Sequence, residues 1–124
     1  MERENILKAK SRLFGIRITK MTTYFIKSTP YAIHPLFTQI LKSGTSISAN
    51  VCESEFGESP DDFRHKLKIA LKEASETENW IEILHKSGYL NNVQYNSIIV
   101  DCKELIKLLT ASINTINKKT KSIY

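Results

Sequence analysis

The chain has 124 residues, 41% of them hydrophobic, with four Gly, three Pro, two Cys and a net charge of +5. That is material for one domain, residues 1–124, with a core of ordinary size. It excludes a membrane span, because no apolar run approaches the roughly 18 residues needed, and a disulfide framework, because two cysteines are too few.

The first helix is expected over residues 4–28. Phe14, Ile18, Met21 and Phe25 recur at steps of four, three and four, which is helical spacing. Pro30 and Pro35 then mark a short connection, since the residue before proline avoids the helical region.

A second helix is expected over residues 35–55, with Pro35 at a favourable first position. Phe37, Ile40, Leu41, Gly44, Ile47, Ser48 and Val51 lie along one side. That stripe crosses SGTSISANVCESEF, the most loop-like stretch in the chain, without losing phase. A phosphate-binding P-loop needs a second glycine, a lysine and a preceding strand, and SGTSISAN has none of these. Its small residues are therefore expected where a partner helix comes close.

The third helix, over residues 60–87, has the clearest start. Ser59 is the cap candidate, Pro60 suits the first position, and Asp61 and Asp62 suit the positive end of the helix dipole. Phe63, Leu67, Ala70, Ala74, Thr77, Ile81 and Leu84 form its main face, and Gly88 supplies a left-handed stop. Ile69, Trp80 and Ile83 fall on roughly the opposite side, within about 60° of one another. A second apolar face that includes a tryptophan points to an oligomer interface.

The fourth helix, over residues 92–118, opens with Asn91 and Gln94 at capping-box spacing. Tyr95, Ile98, Ile99, Cys102, Leu105, Ile106, Leu109, Ile113 and Ile116 follow in register, and the tail NKKTKSIY is expected to fray. Four amphipathic helices joined by short connections read as an all-α, up-down-up-down antiparallel four-helix bundle. Cys52 and Cys102 fall on core faces and are expected as buried, reduced thiols. The polar start MERENILKAKSR lacks the apolar core of a secretory signal, so the expected location is the cytoplasm.

Catalytic constellations are absent from the pattern. Glu82 with His85 and Asp62 with His65 have metal-ligand spacing, but the two pairs lie 20 residues apart on one helix, roughly 30 Å. Neither cysteine has a histidine and an orienting acid in view. No cofactor or metal is expected, and the reading is a non-enzymatic protein.

Charge is the remaining lead. Residues 1–35 carry +5, residues 36–104 carry −4, and residues 105–124 carry +4. Lys8, Lys10, Arg12, Arg17 and Lys20 line the first helix. Arg64, Lys68 and Lys72 line the third at steps of four, and Lys103, Lys107, Lys118, Lys119 and Lys121 lie on the fourth. Such stripes can neutralise phosphates, so RNA or DNA held without base readout is the leading expectation. A protein-interaction scaffold is the alternative.

LKSGTSISANVCES, followed by DDFRHKLKIALKEASETENWIEILHKSGYL, resembles the bacterial four-helix-bundle proteins encoded in intervening sequences of 23S ribosomal RNA genes. Those are similar to the accessory variability proteins of diversity-generating retroelements. The resemblance covers nearly the whole chain and is strongest from Leu41 to Leu90. Departures are Lys42 for the usual Arg, Ser48 for a frequent Gly and Asn79 for a common aromatic. The resemblance implies a homopentameric barrel, associated with nucleic acid or with a nucleic-acid-processing partner such as a reverse transcriptase. It carries over no catalytic residue.

Overall fold

A computed structural model describes the backbone of residues 2–123 and the side chains of residues 6–119. It contains α1 (Glu2–Ser28), a short 3-10 turn (Tyr31–Ile33), α2 (His34–Ser54), α3 (Pro60–Lys86) and α4 (Asn92–Ile123). No strand occurs among the described residues. α2 packs against α1 and α3, and α4 against α3 and α1, which makes a four-helix bundle.

The helix ends follow from their sequences. Ser59 accepts the Asp62 N–H at 3.1 Å, capping α3. Gly88 has φ +85°, and the N–H groups of Tyr89 and Leu90 both return to the Leu84 carbonyl. That left-handed stop is open to glycine at no steric cost. Before α4, the Asn91 N–H donates to Gln94 Oε1 at 2.9 Å and the Gln94 N–H donates to Asn91 Oδ1 at 2.8 Å. This is a reciprocal capping box.

Three details differ from the sequence reading. The segment between the prolines is a 3-10 turn, closed by the Ile33 N–H on the Pro30 carbonyl at 3.1 Å. α4 continues to Ile123 where fraying was expected. No Gly or Pro interrupts it, and its lysine-rich last turns suit the negative end of the dipole. Cys52 is half-buried, because it sits one step around from Val51 at the edge of α2's apolar stripe.

The core runs through all four helices. Phe14 and Ile18 of α1 meet Phe37, Ile40 and Ile47 of α2, Leu67, Ala74 and Ile81 of α3, and Cys102, Leu105 and Leu109 of α4. Phe25 and Phe37 stack with centroids 5.7 Å apart. α1 and α2 approach closely at Gly44. A Cβ there would lie 2.9 Å from Ile18 Cγ2 and 3.1 Å from Ile18 Cγ1. On the next helix over, Ser43 and Thr77 share a buried hydrogen bond of 2.7 Å.

The two helical glycines of the α1–α2 pair therefore respond oppositely to alanine. Gly44→Ala forces buried, β-branched Ile18 off its position, an overpacking cost of about 1–3 kcal/mol that exceeds the gain in helix propensity. Gly15 has nothing within 4 Å of an added Cβ, so Gly15→Ala stabilises by up to about 1 kcal/mol. Thermal unfolding followed by circular dichroism should show a lower midpoint for the first variant and an unchanged or higher one for the second.

Candidate nucleic-acid interface

Eleven of the thirteen candidate cations separate into two groups. Lys8 pairs with Glu55 at 3.1 Å and Lys10 with Glu104 at 2.6 Å. Arg17 pairs with Asp101 of α4 and also donates to the Ser97 carbonyl at 3.2 Å and to Ser97 Oγ at 2.8 Å. Arg64, half-buried, pairs with Asp61 and reaches Asn117 Oδ1 at 3.3 Å. These four hold helices together across half-exposed surfaces, each pair contributing roughly 0–1 kcal/mol.

The second group is exposed and has no ion pair among the described residues: Arg12 and Lys20 on α1, Lys68 and Lys72 on α3, Lys103, Lys107 and Lys118 on α4. Lys119 is also exposed. The side chain of Lys121 lies outside the described residues.

Arg12 and Lys20 border one feature. An open groove of about 490 Å³ runs between α1 and α2, lined by Arg12, Gly15, Ile16, Thr19, Lys20, Thr45, Ser48 and Ala49. The two cations are eight residues apart, about 12 Å along the helix. Thr19 donates to the Gly15 carbonyl at 2.8 Å and Thr45 to the Leu41 carbonyl at 2.7 Å, so those hydroxyls serve their own helices. The groove exists because its floor is built from Gly15, Ser48 and Ala49, on helices that Gly44 draws together. SGTSISAN thus packs on one side and lines an open cationic groove on the other.

The local charge is one-sided. From Asn5 to Cys52 the chain has no Asp or Glu and seven Lys or Arg. Among the described residues, the carboxylates that pair with α1 come from elsewhere: Glu55, Asp101 and Glu104. None of them reaches Arg12 or Lys20. The acids gather instead on the connection after α2 and on α3, where Glu73 has its pKa raised by burial and by neighbouring Glu76.

The apolar face expected on α3 is smaller than its helical wheel implies. Trp80 is half-buried and packs against the core, Ile69 is half-buried, and Ile83 is 38% exposed. The larger exposed apolar surface is on α1, where Ile6, Leu13 and Ile16 are 46%, 63% and 46% exposed. Ile6, Ala9, Leu13, Ile16 and Lys20 recur at alternating steps of three and four. That row was readable as a heptad pattern, but the stronger core stripe on the same helix drew the assignment.

Glu82 and His85 of α3 are engaged with Tyr95 and Asn92 of α4. His85 stacks on Tyr95 with centroids 3.9 Å apart, and its Nε2 lies 2.8 Å from Asn92 Oδ1. Tyr95 donates to Glu82, a bond that raises the phenol pKa. Cys102 donates to the Ala74 carbonyl at 3.4 Å, and burial, reinforced by Glu78, pushes its pKa up to about 12. A thiol so placed is neutral and shielded, the opposite of an activated nucleophile.

The family model for the 23S rRNA-intervening sequence protein matches residues 3–111. The chain belongs to that family. It is also similar to the crystal structure of a protein of unknown function from the S23 ribosomal protein family of Bacteroides thetaiotaomicron. Identity is 41%, the TM-score is 0.83, and the match covers 90% of this chain and 98% of that one. No curated protein matches. Among the described residues, no helix is long and apolar enough to cross a membrane.

The thiols give a direct check on this packing. Iodoacetamide at mildly alkaline pH should label half-buried Cys52 and leave Cys102 unmodified until denaturant is added, as read by peptide mass spectrometry. Labelling of Cys102 in the native protein at a rate like that of Cys52 would contradict its burial.

Proposed function

We propose that the protein is a binding protein rather than a catalyst, and that it holds nucleic acid by its phosphate backbone, acting as a homo-oligomer. The observation that carries the proposal is the acid-free stretch from Asn5 to Cys52, with Arg12 and Lys20 beside an open groove and without an ion pair among the described residues. Carboxylates are available within the fold and neutralise Lys8, Lys10 and Arg17, so the charge left over is positional. Cations so placed attract polyanions, and phosphate neutralisation needs no base contact.

In this reading the helices alternate in direction. Support comes from Lys8 near the start of α1 pairing with Glu55 just past the end of α2, and from Lys66 near the start of α3 pairing with Glu53. Arg64, also near the start of α3, meets Asn117 late in α4. The oligomer, a pentamer by the resemblance, would repeat the cationic groove by symmetry and strengthen its field.

A second reading, a scaffold for another protein, is favoured by Ile6, Leu13 and Ile16 on the outer side of α1. The same row can join subunits. Pull-down of a protein partner that survives nuclease treatment would favour the scaffold over the nucleic-acid reading.

Two measurements test the proposal. In filter binding, affinity for RNA or DNA should fall steeply with salt, by about 0.7–0.9 in logarithmic slope per neutralised phosphate. Arg12→Gln with Lys20→Gln should lower that slope by roughly 2, while Lys66→Gln at the acidic end leaves it unchanged. Affinity that ignores salt would sink the phosphate mechanism. In sedimentation, the wild-type mass should be a multiple of 14.2 kDa, and Leu13→Glu with Ile16→Glu should reduce it to that of one chain. An unchanged mass in that variant would place the subunit contact elsewhere.

A further inference from the structure

The outer side of α1 changes character along its length. Ile6, Leu13 and Ile16 are apolar, but from Lys20 onward the exposed residues alternate: Lys20, Tyr24, Lys27 and Tyr31, at steps of four, three and four. Lys20, Tyr24 and Lys27 fall within about 60° of one another on the helix, and the two lysines are about 10 Å apart along it. Tyr31 follows on the 3-10 turn beyond Pro30. Neither lysine has an ion pair among the described residues, and no acid lies within this stretch of sequence. Lys27 also suits the negative end of the α1 dipole.

Both tyrosines are open to solvent, Tyr24 at 63% and Tyr31 at 86%. Each ring is propped by one aromatic neighbour: Tyr24 by Phe25, with centroids 5.1 Å apart, and Tyr31 by His34, at 5.4 Å. Both arrangements are edge-on, so most of each ring's surface stays uncovered. No hydrogen bond from either phenol occurs among the described residues. Aromatic rings exposed among cations match the chemistry of a strand whose bases are unstacked. The rings offer faces to bases, and the ammonium groups meet the phosphates between them. A duplex offers phosphates but hides the faces of its bases.

We infer that the α1 end formed by Lys20, Tyr24, Lys27 and Tyr31 is a stacking platform for single-stranded nucleic acid. The inference rests on the nucleic-acid reading above and narrows it from any polyanion to an unpaired strand.

Fluorescence anisotropy with a labelled uridine-rich strand of about 12 nucleotides, and with a duplex of the same length, tests it. The strand should bind more tightly than the duplex. Tyr24→Ala with Tyr31→Ala should weaken strand binding about 30-fold or more and leave the salt slope unchanged. Tyr24→Phe with Tyr31→Phe should retain binding, since the ring does the stacking. Lys20→Gln with Lys27→Gln should instead lower the slope by roughly 2. Circular dichroism melts confirm the fold of each variant, and the strand-against-duplex comparison needs no variant. Equal affinity for strand and duplex, or wild-type affinity in the alanine pair, would overturn the platform and leave the phosphate reading standing. Absence of binding to either probe at low salt would overturn both.

Discussion

Two adjacent residues of α2 hold the bundle in register. Gly44 lets Ile18 of α1 come within a distance that no side chain at that position could accept. Ser43, one step around, reaches Thr77 of α3 through a buried 2.7 Å hydrogen bond. α2 is thus fixed from both sides at one level of the bundle. The two contacts constrain differently. Close packing at Gly44 sets distance, because sterics rise steeply with overlap. The hydroxyl pair sets rotation and register, because burying one hydroxyl without the other would cost roughly 1–3 kcal/mol. Thr77 donates to the Glu73 carbonyl at 2.8 Å, which leaves its oxygen to accept from Ser43, so the pair stays satisfied within the core.

This pairing also decides what faces outward. With Gly44 against Ile18, the opposite edge of the same α2 segment presents Thr45, Ser48 and Ala49 to solvent beside Gly15 and Ile16. Small residues on both helices leave a groove where larger ones would fill it. The groove is cationic for a separate reason: no carboxylate occurs from Asn5 to Cys52. The acids of α4 reach α1 on its other flank, at Lys10 and Arg17. Neutralisation is therefore uneven around α1: α4 pairs Lys10 and Arg17, whereas Arg12 and Lys20 beside the groove have no ion pair among the described residues.

Much of this was legible in the sequence. Ser59, the Asn91–Gln94 box and Gly88 act through short-range geometry, and local signals of that kind survive folding unchanged. The main stripes of all four helices were equally plain, since burial follows the 3.6-residue period. What escaped depends on neighbours. Trp80 lies on the outer side of an isolated α3, yet it is large enough to lean around the helix and pack on the core. Cys52 has core phase but sits where α2's stripe ends. Ion pairing was the least legible property of all. Arg12 and Arg17 look alike on one helix, and only the positions of Asp101 and Ser97 on a helix some 80 residues away separate them.

The outer side of α1 joins these observations. One helix in this fold must satisfy a core on one face, and the residues opposite are free of that demand. Had they been solvating residues alone, mixed charges and short polar groups would be expected there. Instead the row is apolar from Ile6 to Ile16, then alternately cationic and aromatic from Lys20 to Tyr31. Neither half is suited to water, and they differ from each other. An apolar row gains by meeting another apolar surface, whereas a lysine and a tyrosine in turn gain most from a partner that is anionic and flat-faced at once. One helix and the turn that follows it can thus present two kinds of surface in series, one fit for joining subunits and one for holding a strand. The acid-free sequence between Asn5 and Cys52 keeps the second from being neutralised by its own helix pair.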